Sequence, residues 1–140
     1  MISQLVAPMI ALIILTFFVW CLMYYRRLSY VIQHKIHANK LETPEQCQSV
    51  LPEYVNKPSN NFKNLFEVPV VFYVLSSIAI ITNSADNTVT YLAWAFVVAR
   101  IIHSIFHCYS KSVMARFYMY LLSSIILWLM LAKVIMTLFL

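Results

Sequence analysis

Four long apolar stretches, separated by short polar breaks, organise the chain. Residues 5–25 carry no charge, and at 1.5 Å per residue they can cross ~30 Å of hydrocarbon. A second apolar run covers 62–82 and ends at the polar turn "NSADN" (83–87). The third covers 88–109 and is interrupted by Arg100, His103 and His107. After "SKS" (110–112) the fourth covers 113–138. Strand-like alternation of period two is absent, and helices satisfy their own backbone in lipid. The pattern predicts an all-α integral membrane protein: one membrane domain over 1–140, folded as a four-transmembrane-helix bundle. Residues 28–61 form the long hydrophilic connection. Within it "LETPEQCQSVLPEYVNKPSNN" (41–61) holds three of the five prolines and reads as a loop with about one helical turn. The first helix is free to continue past Arg27 through "LSYVIQHKI" (28–36).

Composition supports a bilayer as solvent. Of 140 residues 62% are hydrophobic and 11% charged, against roughly 25% charged in soluble domains. Glycine is absent, where usage near ~7% would give about ten. Tight left-handed turns and glycine-rich phosphate loops are therefore not expected. Close helix contacts fall to small residues such as Ser76, Ser77, Ala79, Ser123 and Ser124. The three widely spaced cysteines, Cys21, Cys47 and Cys108, suggest neither a disulfide framework nor a CxxC metal site. Cys21 and Cys108 read as buried free thiols. The first apolar run lacks a basic leader and an A-x-A site, so it reads as a retained helix rather than a signal peptide.

Charge placement predicts orientation. Arg26, Arg27, Lys35, Lys40, Lys57 and Lys63 border or occupy the first connection. Lys111 and Arg116 flank the 3–4 turn, and the 2–3 turn has no basic residue. By the positive-inside rule the 1–2 and 3–4 connections face the cytoplasm and both termini face out. Lys133, near the outer side, can snorkel. This topology gathers Glu67, Arg100, His103, His107, Arg116, Tyr120 and the Arg26–Arg27 pair into one half of the membrane. Arg100, His103 and His107 share a helix face at i, i+3, i+7. Intramembrane ionisable groups face a bundle interior or a wet cavity. Two readings follow: Glu67 and Arg100 pair as packing glue within hydrogen-bonding distance, or the excess of cations lines a pocket for an anionic ligand. No metal-ligand spacing and no Ser-His-Asp arrangement stands out, and no nucleic-acid partner is expected.

Two motifs resemble a known family, the membrane-associated proteins in eicosanoid and glutathione metabolism (MAPEG), in its bacterial-type members. "NLFE" (64–67), followed by Pro69, is similar to the family's Asn-x-x-Glu at the start of helix 2. "ARIIHSIFHCYSKSVMARFYMY" (99–120) is similar to its Arg-x-x-His, short turn, and Arg and Tyr opening helix 4. The resemblance implies a homotrimer of four-helix bundles, surrounded by membrane lipids, with glutathione bound between subunits on the cytoplasmic side. It implies cofactor contacts from Asn64, Glu67, Arg100, His103, His107, Lys63 and Arg26 (or Arg27), with Glu67 accepting from the ammonium. It implies catalytic roles for Arg116, which would stabilise the thiolate, and for Tyr120. Where the family's enzymes carry arginines before the Asn, this chain has Asn60 and Lys63; where a tyrosine is common near the end of helix 3, it has His107. The function implied is a glutathione-dependent transferase or peroxidase acting on lipophilic small-molecule electrophiles. The alternative is a non-catalytic lipid- or partner-binding protein on the same fold. A third reading, a transporter or channel component, is disfavoured by the bare outer half.

Overall fold

The computed structural model describes residues 4–110 and 112–139; Lys111, counted above among the basic residues of the 3–4 turn, lies outside them. Among the described residues all regular structure is helical. The order is α1 (Val6–Gln33), a 3-10 turn (Ala38–Leu41), α2 (Pro44–Val50), α3 (Glu53–Asn64), α4 (Val68–Ile81), α5 (Asn87–Tyr109) and α6 (Val113–Phe139). Four helical segments are long and apolar enough to cross a membrane: Val6–Gln33, Glu53–Ile81, Asn87–Tyr109 and Val113–Phe139. The second joins α3 and α4 across a break at residues 65–67.

The 28–61 connection is corrected by the structure. It is mostly helical: α1 runs on to Gln33, and α2 and α3 occupy most of the rest. Two local devices explain why. Thr43 and Gln46 close a capping box on α2, with Pro44 in its first turn, so orphan N–H groups at the helix start are satisfied reciprocally. Pro58 sits inside α3, where it cannot donate to the carbonyl four residues back. That carbonyl belongs to Tyr54, and Arg26 Nη1 donates to it instead at 2.8 Å. A proline that reads as a helix breaker is thus accommodated by an arginine from α1. Packing against α1 and α5 buries Val55, Asn56, Lys57, Pro58, Ser59 and Asn61.

The expectation of no left-handed turns is also corrected. Lys35 (φ 49°) and Asn83 (φ 54°) both adopt this conformation. Each follows a helix C-cap and closes a Schellman pattern, with Ile36 N–H to Val31 O and Ser84 N–H to Ala79 O. The hydrogen-bonding motif there outweighs the steric cost of a side chain.

The core is a seam between α5 and the helices around it. On α5, Val89, Ala93, Phe96, Val97, Arg100, His103, Ser104 and Cys108 are buried. This stripe is apolar towards the 83–87 turn and polar towards the other end. On α6, Ser123, Leu127, Met130 and Val134 are buried at i, i+4, i+7, i+11, a single face. Phe72 of α4 stacks on Phe96 with centroids 4.7 Å apart. Of the small residues singled out in sequence, Ser76, Ala79 and Ser123 are wholly buried, and Ser77 and Ser124 half-buried. Cys108 is a buried free thiol, whereas Cys21 is only half-buried. The outward faces stay apolar: Phe17, Phe18, Val74, Trp128 and Leu129 are exposed, as a lipid-facing surface requires.

Candidate functional site

The break between α3 and α4 builds the floor of the site. Pro69, in the first turn of α4, favours an extended residue before it and a helix start. The chain therefore leaves the helix at residues 65–67; the Asn61, Phe62 and Lys63 carbonyls still accept from the Leu65 and Phe66 N–H groups, and the Asn64 carbonyl is left for another donor. Arg100, buried completely on α5, donates from Nη2 to the Asn64 carbonyl at 2.7 Å. Its guanidinium also lies over the Tyr120 ring, 5.6 Å from the centroid.

This overturns the expected Glu67–Arg100 contact. The ion pairs among the described residues are Lys57–Glu53 and Lys133–Asp86, and Glu67 makes none. Glu67 is exposed and occupies the N-cap position of α4, where the helix dipole favours a carboxylate. Arg100 is matched to a backbone carbonyl rather than to a carboxylate.

Above this floor a cavity of about 310 Å³ is lined by Asn64, His103, His107, Arg116, Phe117 and Tyr120, with Val113 at its side. α5 and α6 hold its walls together. His103 Nδ1 lies 3.2 Å from the Arg116 carbonyl; donation there leaves Nε2 as the acceptor nitrogen. The His103 ring is 5.9 Å from Tyr120 and 5.5 Å from His107. His103 Nε2, Arg116 Nε, and Arg100 Nε and Nη1 are buried without a hydrogen-bond partner among the described residues. Arg116 in the cavity wall and Arg100 behind it thus have no ion pair among the described residues. Guanidinium nitrogens buried in that state call for an anionic or acceptor-rich partner.

The other sequence-derived candidates lie elsewhere. Arg26 donates to the Tyr54 and Cys108 carbonyls at 2.8 and 3.2 Å and sits over the Tyr109 ring, joining α1, α3 and α5. Lys63 lines a separate polar cavity with Arg27. The structure therefore brings together Asn64, Arg100, His103, His107, Arg116 and Tyr120, keeps Glu67 within electrostatic reach of Arg100 without a direct ion pair, and leaves Lys63 and Arg26 apart within one chain. Two contacts beside the site went unnoticed in sequence. Asn61, wholly buried, accepts from Ser104 Oγ at 3.5 Å, and Lys57 Nζ donates to the Ser110 carbonyl at 3.1 Å. Both lie in the proline-rich segment whose helical nature the prolines concealed. The adjacent asparagines 60 and 61, next to an apolar run, were the available signal.

Four apolar spanning helices with polar groups gathered in one part of the bundle define a multi-pass integral membrane protein. The MAPEG family profile matches residues 5–136, and the chain belongs to that family. No curated protein and no solved structure matches it significantly.

Proposed function

We propose that this protein is a membrane-bound glutathione-dependent transferase or peroxidase acting on lipophilic electrophiles, working as a homotrimer. The observation that carries the reading is the cavity walled by Arg116, His103, His107, Asn64 and Tyr120, with Arg100 packed behind Asn64 and Tyr120 and neither arginine in an ion pair among the described residues. Glutathione carries two carboxylates and a thiol that ionises, so it complements such a site. Membership of the family is consistent with this chemistry.

In the proposed reaction the thiol gives its proton to water, and the thiolate attacks an electrophile that arrives through the bilayer. It displaces a leaving group, opens an activated double bond or ring or, with a hydroperoxide, breaks the O–O bond and releases the alcohol; a proton returns to the atom that takes the electron pair wherever that atom is carbon or oxygen. Arg116 stabilises the thiolate, because a nearby cation favours the charged form. Asn64 orients the tripeptide, and Tyr120 contributes a hydroxyl close to the reacting sulfur. Glu67, exposed at the start of α4, is free to accept from a ligand ammonium. The orientation that goes with this reading has both termini outside and the pocket end cytoplasmic.

The test is glutathione titration of the purified protein, with thiolate absorbance followed against pH. Binding with a lowered thiol pKa is expected. Arg116→Ala should lose roughly 100-fold in kcat, the scale of one lost electrostatic stabiliser, with a smaller change in KM. A wild-type protein that neither binds glutathione nor shifts its thiol would replace this reading with the non-catalytic, lipid-binding one.

A further inference from the structure

The proposed reaction needs a proton donor besides Arg116. When the electrophile is a hydroperoxide, an alkoxide leaves and must be protonated. Arg116 in the cavity wall keeps its proton at every working pH, as does Arg100 behind it. Tyr120 is a phenol, with an ordinary pKa near ~10, and the Arg100 guanidinium lies over its ring, 5.6 Å from the centroid. Two histidines remain in the wall, His103 and His107. Histidine is the side chain whose ordinary charge change falls between about pH 5 and 8.

The two histidines are not equivalent. His103 is 2% exposed. Its Nδ1 is committed to the Arg116 carbonyl and its Nε2 is buried, so it has no open nitrogen to exchange a proton with water. His107 lies one turn further along α5, with its ring 5.5 Å from that of His103. It is half-buried and lines the same cavity. Nδ1 is its buried nitrogen, so proton exchange falls to Nε2. Lys57 of α3 and Arg116 of α6 face its ring, and Tyr120 of α6 and Asn64 at the end of α3 share the cavity with it. Lys57 is itself held by Glu53 and by the Ser110 carbonyl. No carboxylate lines this cavity among the described residues, so the partner left for a proton on His107 is an anion bound there. An anion in the cavity and a proton on His107 stabilise each other, by the reciprocity of linked binding. The thiolate held by Arg116 therefore also helps to load this histidine.

We infer that His107 is the catalytic acid of this site, its imidazolium protonating the atom that takes the electron pair; the inference rests on the glutathione reading. With a hydroperoxide, the thiolate sulfur bonds to the terminal oxygen as the O–O bond breaks. Glutathione sulfenic acid and an alkoxide result, and the alkoxide takes the Nε2 proton and departs as the alcohol. His107 regains its proton from water. A second glutathione thiol condenses with the sulfenic acid, giving the disulfide and water. With an aryl chloride the departing chloride needs no proton, and His107 takes no part in that step.

The test compares two electrophiles, cumene hydroperoxide and chlorodinitrobenzene, with the purified protein and glutathione. His107→Gln should lower kcat for the hydroperoxide about 100-fold, the low end for a general acid. It should leave the chloride reaction and the KM for glutathione little changed. In His107→Ala, imidazole added to the buffer should restore part of the hydroperoxide rate. In the wild type, kcat for the hydroperoxide should fall as pH rises through the imidazole range, and the chloride reaction should show no such fall. That wild-type profile decides the matter even where a variant fails to fold. Equal losses with both electrophiles would overturn the inference, because His107 would then only pack or bind. So would a fall in the hydroperoxide rate only near pH ~10, which assigns the proton to the Tyr120 phenol. A wild type that binds glutathione and reduces the hydroperoxide with no alkaline fall overturns the inference alone. One that binds no glutathione and turns over neither electrophile overturns the glutathione reading, and the inference falls with it.

Discussion

At the scale of single residues, the deciding feature is what each charge is matched to. Arg100 is buried because α3 ends beside it with an unpaired carbonyl, and Glu67 is exposed at a helix start. Arg100→Ala should therefore destabilise by about 3 kcal/mol, combining an unpaired buried carbonyl with a cavity. Glu67→Gln should stay within about 0.5 kcal/mol, as surface changes do. Unfolding in detergent with denaturant checks both, and equal losses would restore the ion-pair picture. Asp86 poses the opposite case. It caps α5 by accepting from the Val89 N–H at 2.8 Å and pairs with Lys133 at 3.0 Å. The Val89 N–H first, and Lys133 second, hold its carboxyl below the ordinary value of 3.8. A depressed folded-state pKa adds stability that is present above the unfolded value and lost as pH falls through the folded one. The stability gap between wild type and Asp86→Asn, which keeps an N-cap acceptor, should be open at neutral pH and close in acid. A gap that does not vary with pH would show that the charge contributes nothing.

At the scale of elements, α3 is the informative helix. Its proline is tolerated because Arg26 supplies the donor that Pro58 lacks. Arg26→Ala should cost about 1–2 kcal/mol, the scale of a lost hydrogen bond from a charged donor. Adding Pro58→Ala restores an N–H at the right place and should recover a substantial part of that loss. A double-mutant cycle read by thermal unfolding measures the coupling; additive losses would mean that the Arg26–Tyr54 bond does not support the helix. The same helix was the least readable part of the chain. Prolines and polar residues mark a loop when each is taken alone, and both here are stabilised by partners distant in sequence. The ends of the apolar spans were more readable, since a change from apolar to polar needs no distant partner to be recognised.

At the scale of the whole molecule, polarity is distributed unevenly along the bundle. The α4–α5 turn holds Asp86, paired with Lys133, while Arg26, Arg27, Lys57, Lys63, Arg100 and Arg116 lie towards the other end. In the orientation we propose, from the positive-inside rule, that end faces the cytoplasm. Ser49→Cys, at an exposed position on α2, in a chain whose native cysteines are replaced by alanine, should resist a membrane-impermeant thiol reagent in intact cells and react after permeabilisation. Reaction in intact cells would reverse the orientation.

The sequence by itself determined that the solvent is a bilayer, that the chain is helical, and that Arg100, His103 and His107 share one face of α5. These depend on composition and on the 3.6-residue period, both local properties. Motif spacing also pointed to the family, whose profile spans residues 5–136. Only the tertiary structure decided which side chain answers which. It matched Arg100 to the Asn64 carbonyl, Arg26 to the carbonyl that Pro58 leaves free, and Arg27 with Lys63 to a second cavity across α3. Those matches join residues as much as 36 positions apart. A hydrogen bond or a cavity wall depends on distances of a few ångströms that the packing of helices sets, and no local pattern in the chain encodes them.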